Sequence, residues 1–384
     1  MTERLYYMDS HMSDFSAHVV SCAQRGSRFD VILNRTAFFP EGGGQAADTG
    51  KIGGAHVLDV RERDGDIVHI ADAAVETGSR VRCSLDWDRR FRRMQEHSGE
   101  HIISGTAHRL FGCENVGFHM GESGGVTIDF SCELTDAQLE TLETVANMTV
   151  YRDLPVKAYF PSADELAGLE YRSKKELGGD VRIVSIEGVD CCACCAPHVV
   201  HTGEIGVIKL LSAERHRGGM RVTAVSGMDA LEDYRARFSN VREISEALSA
   251  PQLETAAAVR RVLSSLEEQK RRAVDAQRET LKYRISALEP AEGNICLFES
   301  DMDAVSQREL VNAGMEKSRL CGVFAGSDGD WKYIIGSLYT DLRAAAKEIN
   351  DAIAGRGGGS TTMIQGTSNA CKADIKAYFA SYAK

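Results

Sequence analysis

Two pairs of metal-binding side chains, far apart in the chain, constrain its fold more than any other feature. His97 and His101 lie four residues apart in "MQEHSGEHIISG", a spacing that places both imidazoles on one face of a helix. Cys194 and His198 have the same spacing in "CCACCAPHVVHTGEIG". Three imidazoles and one thiolate make a tetrahedral donor set that suits Zn²⁺. The sequence therefore predicts a fold that brings these two distant segments together around one zinc ion per chain.

The choice of ligands in the second pair is open. Cys191, Cys192 and Cys195 compete with Cys194, and His201 competes with His198. The N-terminus lacks a signal-peptide pattern, and no apolar run approaches the roughly 20 residues of a membrane span, so we expect a cytoplasmic protein without a membrane partner. In that reducing compartment a cysteine cluster is more often a metal site or a set of free thiols than a disulfide framework.

The hydrophobic pattern changes along the chain and predicts an α+β protein. Short β-rich runs over residues 1–88 predict a small antiparallel β-barrel, with a sandwich as the alternative. Residues 89–227 mix helix and strand patterns and hold both metal-ligand pairs. Residues 228–290 are helical with apolar residues at three- and four-residue spacings, which fits a coiled-coil-like hairpin or a core helix. Residues 291–384 read as a small α/β domain.

Three local signals place the elements within this outline. The stretch "RRFRRMQEHSGEHIISGTAHRLFG" predicts one long helix that carries both histidines and ends at a C-cap, Gly112. Thr135 is the expected N-cap of the next helix. Pro251 divides the later helical segment in two, which favours a hairpin.

A glycine-rich loop follows a predicted strand in "FFPEGGGQAADTG". Three consecutive glycines, Gly42, Gly43 and Gly44, permit positive φ angles and a close approach of the backbone to a partner. The motif matches neither the P-loop nor the dinucleotide-binding fingerprint. A tight turn between strands is the structural alternative.

Two functional classes compete at this level. The spacing H-x-x-E-H, with Glu100 before His101, is the pattern of a zinc peptidase whose glutamate is the general base. Such a peptidase has no need for a C-x-x-x-H pair, so we rank it second. The net charge of −11 means that a nucleic-acid partner would need local basic patches, and "RRFRRM", "RSKK" and "ERHRGGMR" offer them. Solvated surface is the alternative reading of each patch.

Together the motifs resemble a known family. The order "FFPEGGGQAADTG", "HSGEH", "CCAPHVVHTGEIG" resembles the editing half of alanyl-tRNA synthetase and the free-standing AlaX proteins in their long form. The C-terminal "GRGGGSTTMIQG" is similar to the end of the synthetase's C-terminal domain. The resemblance implies a trans-editing hydrolase that deacylates mischarged tRNA(Ala), chiefly seryl- and in some members glycyl-tRNA(Ala). It also implies zinc on His97, His101, Cys194 and His198, tRNA as partner, and a homodimer through the helical and C-terminal regions.

The chemistry of ester hydrolysis suggests roles for further residues, among them Glu100, which departs from the threonine usual at this position of the synthetase. Glu100 and Glu122 are the candidate general bases. Thr127 or His119 could hydrogen-bond the hydroxyl that distinguishes serine from alanine. The loop residues expected to approach the acceptor end of the tRNA are Gly42, Gly43, Gly44 and Gln45. A tRNA-binding module without catalytic activity is the third alternative. The family's C-G-G-T-H is Cys194-Cys195-Ala196-Pro197-His198 here, a departure that bears on substrate choice.

Overall fold

The fold was analysed in a computed structural model, which describes residues 1–121, 124–173 and 181–382. It contains both helices and sheets, which confirms the predicted mixed α+β class. The chain divides into two compact units, Met1–Glu243 and Ile244–Lys384, which are described separately below. The finer division at residues 88, 227 and 290 stays a prediction.

The first unit begins with eight strands around an apolar core, most of them antiparallel, with β1 and β4 paired in parallel. The strands are β1 (Glu3–Arg4), β2 (Asp14–Arg25), β3 (Arg28–Leu33), β4 (Arg35–Thr36), β5 (Gly50–Ile52), β6 (Ala55–Arg63), β7 (Asp66–Ala71) and β8 (Arg80–Leu85). Six of them pair in the cyclic order β2-β3-β7-β6-β5-β8, so the ladder closes on itself as a barrel. Val31, Val60 and Ile67 point inward and are fully buried. The glycine-rich loop connects β4 to β5 and leaves this barrel.

A long central helix follows, α1 (Trp87–Phe111). Asp86 caps its first turn by accepting a hydrogen bond from the Arg89 amide, and Gly112 ends it with φ +66°, as the sequence predicts. Every residue from 93 to 107 is buried, because other elements cover α1 on all sides. Polar side chains on a helix that is buried on all sides destabilise the fold unless they form hydrogen bonds or bind a metal.

The remaining elements of the first unit surround α1. They are β9 (Asn115–Met120), β10 (Val126–Phe130), α2 (Asp136–Tyr151), β11 (Val156–Tyr159), α3 (Ala163–Ala167), β12 (Ile183–Ile186), β13 (Asp190–Ala193), β14 (Ile208–His216) and β15 (Gly219–Ser226). They form a four-stranded sheet, β14-β15-β10-β9, and a three-stranded sheet, β11-β12-β13. Thr135 caps α2 in a capping box with Gln138, as predicted.

Two helices flank Pro251 as the sequence predicts. They are α4 (Gly227–Leu248), within which the boundary between the units falls, and α5 (Thr255–Ala287). The second unit continues with β16 (Ile295–Glu299), α6 (Ala304–Met315), β17 (Cys321–Ser327), β18 (Asp330–Gly336), α7 (Leu342–Ala352), β19 (Gly355–Gly359), β20 (Met363–Ser368) and α8 (Lys372–Ser381). Its five-stranded sheet has the order β16-β17-β18-β20-β19. Across the described parts of both units, no helix combines the length and apolarity needed to cross a membrane.

Candidate metal centre

Four side chains from two segments meet inside the first unit. His97 and His101 come from α1, while Cys194 and His198 come from the loop after β13. One donor atom from each lies within 4.8 Å of the other three. The three histidines are 2% exposed, and Cys194 is only partly exposed. The structure therefore brings together the predicted donors in an enclosed cluster that could hold a metal.

The spacing of the donors tests whether zinc would fit. The Cys194 sulfur lies 3.6 Å from His97 Nε2 and 3.4 Å from His198 Nε2. A tetrahedral zinc with Zn–S near 2.3 Å and Zn–N near 2.0–2.1 Å requires S···N edges of about 3.6 Å. The observed edges match this requirement, so the residues present fit a four-coordinate zinc ion.

Each imidazole is held at its other nitrogen by an outer partner. His97 Nδ1 lies 3.0 Å from Gln45 Oε1, and His198 Nδ1 lies 3.1 Å from Ser98 Oγ. His101 Nδ1 lies 2.8 Å from Asp190 Oδ2. These contacts leave Nε2 as the inward nitrogen on each ring. This is the usual arrangement in which outer partners fix the tautomer and orientation of metal-binding histidines.

Asp190 extends this arrangement outward. Arg172 grips its carboxylate with two hydrogen bonds of 2.7 and 2.9 Å. Burial raises the pKa of the Asp190 carboxyl, but His101 and Arg172 more than offset burial and hold that pKa below its usual range. Burial likewise lowers the pKa of His101, while Asp190 and Cys194 raise it above its usual value. An anionic Asp190 therefore accepts the Nδ1 proton of His101 and favours metal binding through Nε2.

The cysteine loop is arranged to present a thiolate. Burial opposes ionisation of Cys194, yet the facing imidazoles of His97 and His198 bring its pKa well below the ordinary thiol value. Arg182 supports the loop by donating to the carbonyls of Cys194 at 3.0 Å and Ala196 at 2.8 Å. The thiolate is the form of cysteine that binds metals, so the local field prepares this ligand.

The structure distinguishes Cys194 and His198 from the other cysteines and the histidine that compete with them as metal ligands. Within the described residues, Cys192 groups only with His101 and Asp190, whereas Cys191, Cys195 and His201 join no metal-type cluster. His201 instead contacts the Asp153 carbonyl at 3.3 Å. The geometry thus favours Cys194 and His198 over the alternatives that the sequence leaves open.

The glycine-rich loop reaches this centre from the barrel side. Gly42 and Gln45 exchange two backbone hydrogen bonds of 3.0 Å across a tight turn, and the two residues between them, Gly43 and Gly44, have φ of +61° and +84°. Positive φ at both central positions is the requirement of a type I′ turn, which glycine meets without strain. A Cβ on Gly44 would lie 2.7 Å from the ring of Phe118. Phe118 in turn stacks on His97 with ring centroids 5.0 Å apart.

The base of the loop is tied to α1 through a buried ion pair. Asp48 Oδ2 accepts from the Phe39 amide at 2.7 Å, and the Arg90 guanidinium contacts both carboxylate oxygens of Asp48. Arg90 is fully buried and also donates to the Ser10 and Ala37 carbonyls. It is therefore a structural residue and not part of a basic surface.

Of the two candidate general bases, Glu100 lies within the described residues and beside the metal cluster. Glu100 is buried, and its Oε1 accepts from Ser104 Oγ at 2.6 Å and from Asn115 Nδ2 at 2.5 Å. Its Oε2 lies 4.0 Å from His101 Nε2, so the carboxylate borders the metal cluster. Glu122 lies outside the described residues.

His119 and Thr127 are direct partners across β9 and β10. Their neighbours Phe118 and Ile128 are also paired, and Ile128 is fully buried against the core while Phe118 stacks on His97. Successive side chains of a strand point to opposite faces, so His119 and Thr127 lie on the other face of the sheet. The structure does not bring this pair into contact with the metal cluster.

Comparison with known proteins first defines a class. A family model described as "Threonyl and Alanyl tRNA synthetase second additional domain" matches residues 181–222, which include Cys194 and His198. A model described as "tRNA synthetases class II (A)" matches residues 6–89. The chain is thus similar to domains that accompany aminoacyl-tRNA synthetases.

Named relatives narrow the class. "Alanyl-tRNA editing protein Aarsd1" from Danio rerio is 36% identical over 223 residues, covering 54% of this chain and 54% of that protein. "Alanine--tRNA ligase" from Methanopyrus kandleri is 31% identical over 389 residues, 95% of this chain and 42% of the ligase. The Mus musculus Aarsd1 protein is 26% identical over 397 residues, 97% of this chain and 96% of that protein. The predicted resemblance is confirmed: the chain is similar to alanyl-tRNA editing proteins and to alanine--tRNA ligases.

Two limits apply to these relatives. The chain spans about half the length of the first two, at 54% and 42%. Among solved structures, the C-Ala domain of Aquifex aeolicus alanyl-tRNA synthetase matches 24% of this chain and 93% of that domain. Its sequence identity is 14% and its TM-score is 0.21.

Proposed function

We propose that this protein hydrolyses the ester bond of mischarged tRNA(Ala), chiefly seryl-tRNA(Ala) and also glycyl-tRNA(Ala). The observation that carries the proposal is the enclosed donor set of His97, His101, Cys194 and His198, with an outer partner on every imidazole. The alanyl-tRNA editing relatives support tRNA as the partner and editing as the role.

The chemistry requires little beyond positioning. An aminoacyl ester is already activated, so a placed water and a stabilised carbonyl oxygen suffice. Bound zinc would supply a fixed positive charge that orients the substrate, since four protein ligands leave no open position. Glu100 is the proposed residue that takes the proton of the attacking water, because its Oε2 borders the cluster. Glu122 is the second proposed base.

Recognition of the serine hydroxyl requires a hydrogen-bonding side chain that the seryl group can reach. His119 and Thr127 lie on the face of β9 and β10 away from His97, so a direct hydrogen bond requires the substrate to reach that face. We retain both as proposed substrate-binding residues. Gly42, Gly43, Gly44 and Gln45 are better placed, since their turn lies against Phe118 and His97.

Contact with tRNA phosphates falls to arginines that remain accessible. Arg92 is a weaker candidate for a phosphate contact, because it pairs with two carboxylates, Asp229 at 2.6 Å and Glu232 at 2.5 Å. Arg215 is 83% exposed despite its pairing with Glu133, and it lies near the tip of the β14–β15 hairpin beside Arg217. Exposed ion pairs are weak and give way to phosphate, so we propose this hairpin as a backbone contact.

A deacylation panel tests the proposal. Purified protein is incubated with seryl-, glycyl- and alanyl-tRNA(Ala), release of amino acid is followed, and zinc is determined on the same sample. We expect release of serine and glycine, loss of activity in His101→Ala, and retained activity in His108→Ala. His108 lies on the same helix, is about half exposed and pairs with Glu114 outside the cluster.

Three other results would each contradict the proposal in a different way. Release from alanyl-tRNA(Ala) at the same rate would remove the editing function. Bound zinc and tRNA affinity without turnover would make the chain a binding module. Peptide hydrolysis that disappears in Glu100→Gln would indicate a zinc peptidase.

A further inference from the structure

We infer that Gln45 acts at the centre through both ends of its amide: Oε1 orients the metal ligand His97, and Nε2 donates a hydrogen bond to the carbonyl oxygen of the scissile ester. The inference rests on the proposed function. It gives a defined chemical role to one side chain of the glycine-rich loop.

The orientation of the amide follows from the metal site. His97 turns Nε2 toward Cys194, so a metal there leaves the proton on Nδ1. That N–H donates across 3.0 Å and requires an acceptor, which on a glutamine side chain can only be Oε1. The amide nitrogen then occupies the other position of the planar group, about 2.3 Å from Oε1 by covalent geometry. Nε2 is thereby fixed beside the ligand His97.

The Gln45 Nε2 atom is a buried hydrogen-bond donor that no described residue satisfies. Gln45 is 1% exposed, and its Nε2 has no hydrogen-bond partner among the residues that the structure describes. Burying an unsatisfied N–H destabilises the folded state, so a structure that keeps such a group at a site invites a ligand that satisfies it. A donor here suits an oxygen with developing negative charge.

The loop holds the amide in place and also controls access to it. The Gly42–Gln45 turn and the Phe39–Asp48 contacts close the loop at its tip and its base. The turn residues Gly43 and Gly44, which precede Gln45, are exposed. An acceptor that approaches along this turn meets no side chain on Gly43 or Gly44.

The step that Nε2 would assist is the addition of water to the ester. The water oxygen forms a bond to the carbonyl carbon, its proton passes to a base, and the C=O electron pair moves onto the carbonyl oxygen. Nε2–H stabilises that oxyanion. The intermediate then collapses: the bond to the ribose oxygen breaks, the base returns the proton to that oxygen, and free amino acid and tRNA result. Removing one such donor lowers kcat by about 10²- to 10³-fold in known cases.

Two substitutions of Gln45 distinguish the role of Oε1 in holding His97 from the role of Nε2 as a hydrogen-bond donor. Gln45→Glu keeps an oxygen for His97 Nδ1 and removes the Nε2 donor. We expect zinc affinity, measured by chelator competition, equal to or higher than that of the wild type, because a carboxylate on His97 Nδ1 raises the basicity of the ring, and kcat lower by about 10²- to 10³-fold with little change in KM. Gln45→Met removes both ends. We expect zinc affinity lower by about 10- to 100-fold, and the same fall in kcat at saturating zinc.

Ser98→Ala is the matched control, because Ser98 Oγ holds His198 as Gln45 holds His97. We expect it to weaken zinc binding by about 10- to 100-fold and to change kcat only a few-fold at saturating zinc. Binding of 3′-(L-serylamino)-3′-deoxyadenosine, an amide that cannot be hydrolysed as an ester, gives a readout apart from turnover. The Gln45 side-chain ¹⁵N–¹H signals should shift when this probe binds the wild-type protein.

The outcomes are distinguishable. Wild-type kcat in zinc-saturated Gln45→Met would overturn the donor role and would assign any loss of kcat in Gln45→Glu to the added charge. Wild-type zinc affinity in Gln45→Met would overturn the orienting role. If the wild-type protein releases no amino acid from any tRNA, the proposed function fails and the donor role with it. The zinc measurements still decide the orienting role in that case.

Discussion

Each imidazole of the cluster is fixed by one outer residue, and the three differ in chemistry: an amide, a hydroxyl and a carboxylate. The carboxylate, Asp190, should act on metal binding through its charge, because that charge raises the basicity of His101 and is itself held by Arg172. We predict that Asp190→Asn lowers zinc affinity by about 10- to 100-fold while the fold is retained. The measurement is competition with a chromophoric chelator.

Asp129→Asn provides the control for that variant. Asp129 is gripped by Arg221 through two hydrogen bonds of 2.7 and 2.8 Å, nearly the geometry of Asp190 with Arg172, but it contacts no residue of the cluster. Its substitution should leave zinc affinity unchanged. Equal zinc affinity in the two variants would show that Asp190 does not act through His101.

A histidine in the barrel core should make stability depend on pH. His69 is fully buried, donates from Nδ1 to the Val31 carbonyl and accepts at Nε2 from Thr36. Burial lowers its pKa from 6.5 to about 4. The unfolded chain therefore takes up a proton first: the stabilisation is complete above pH 6.5 and is lost as the pH falls toward 4. At about 1.4 kcal/mol per pH unit, the wild type should lose roughly 2–3 kcal/mol between pH 7 and 4.5 from this group.

The measurement is the free energy of unfolding in urea at the two pH values. His69→Gln should lose less stability than the wild type over this interval, whatever its stability at pH 7. His56→Gln, at an exposed position of β6, should behave as the wild type does. A variant at position 69 with the wild-type pH dependence would refute the prediction.

At the scale of single residues, sequence reasoning finds the ligands and misses their supports. His97 and His101 share a helical face by spacing alone. Gln45, Ser98 and Asp190 act from positions 52, 100 and 89 residues away from the histidines they hold. Such contacts depend on how barrel, helix and sheet pack, and no local pattern encodes them.

At the scale of elements, the glycine turn and α1 depend on each other. Gly44 needs φ +84° and faces the Phe118 ring, so Gly44→Ala meets both a left-handed backbone and a clash. Gly78→Ala meets the same backbone conformation, φ +83°, with no atom within 4 Å of the added Cβ. We predict that both lose about 1–2 kcal/mol of stability from backbone strain and that only Gly44→Ala also loses deacylation.

Thermal unfolding and deacylation rates of the two variants, compared side by side, check this. The contact with Phe118 is what distinguishes them, because the strain is shared. Equal losses of activity in both would mean that the turn matters through stability alone.

The long helix shows what periodicity can and cannot reveal. The 3.6-residue pattern predicts α1, its C-cap and the shared face of its histidines. The reading of "RRFRRM" as a basic patch is wrong for Arg90, which is buried on the same side of the helix as Met94, His97 and His101. Helical periodicity does not reveal the partner of Arg90, because Asp48 lies in a loop before the helix.

At the scale of the whole molecule, alternation and period predict an α+β protein with β-rich and helical segments in their observed order. The pairing of strands is a different matter. The sheet order β14-β15-β10-β9 joins strands that lie before and after β13, and its register rests on long-range burial and not on the residues of any one strand. The Cys194 loop connects β13 of the three-stranded sheet to β14 of this one, so the position of its ligands depends on how both sheets pair.

The metal should therefore act as a cross-link within one unit. All four donors lie in Met1–Glu243. They come from two segments that are far apart in the chain, residues 97–101 and 194–198, so a metal bound by all four would link these segments. A ligand that binds only the folded form stabilises it by about 4 kcal/mol at 1,000 times its Kd. We predict that removing the metal with a chelator speeds amide hydrogen exchange in α1 and β13 and leaves exchange in β17, β18 and β20 unchanged.

Mass spectrometry of peptides from protein with and without chelator measures this, and added zinc should restore the protection. Cys194→Ser should reproduce the chelated pattern without chelator, whereas Cys371→Ser, which alters a half-buried cysteine of the second unit, should not. Equal acceleration of exchange in both units would mean that the metal controls the stability of the whole chain. No change in α1 would mean that packing alone holds the four donors together, so that zinc serves the chemistry and not the fold.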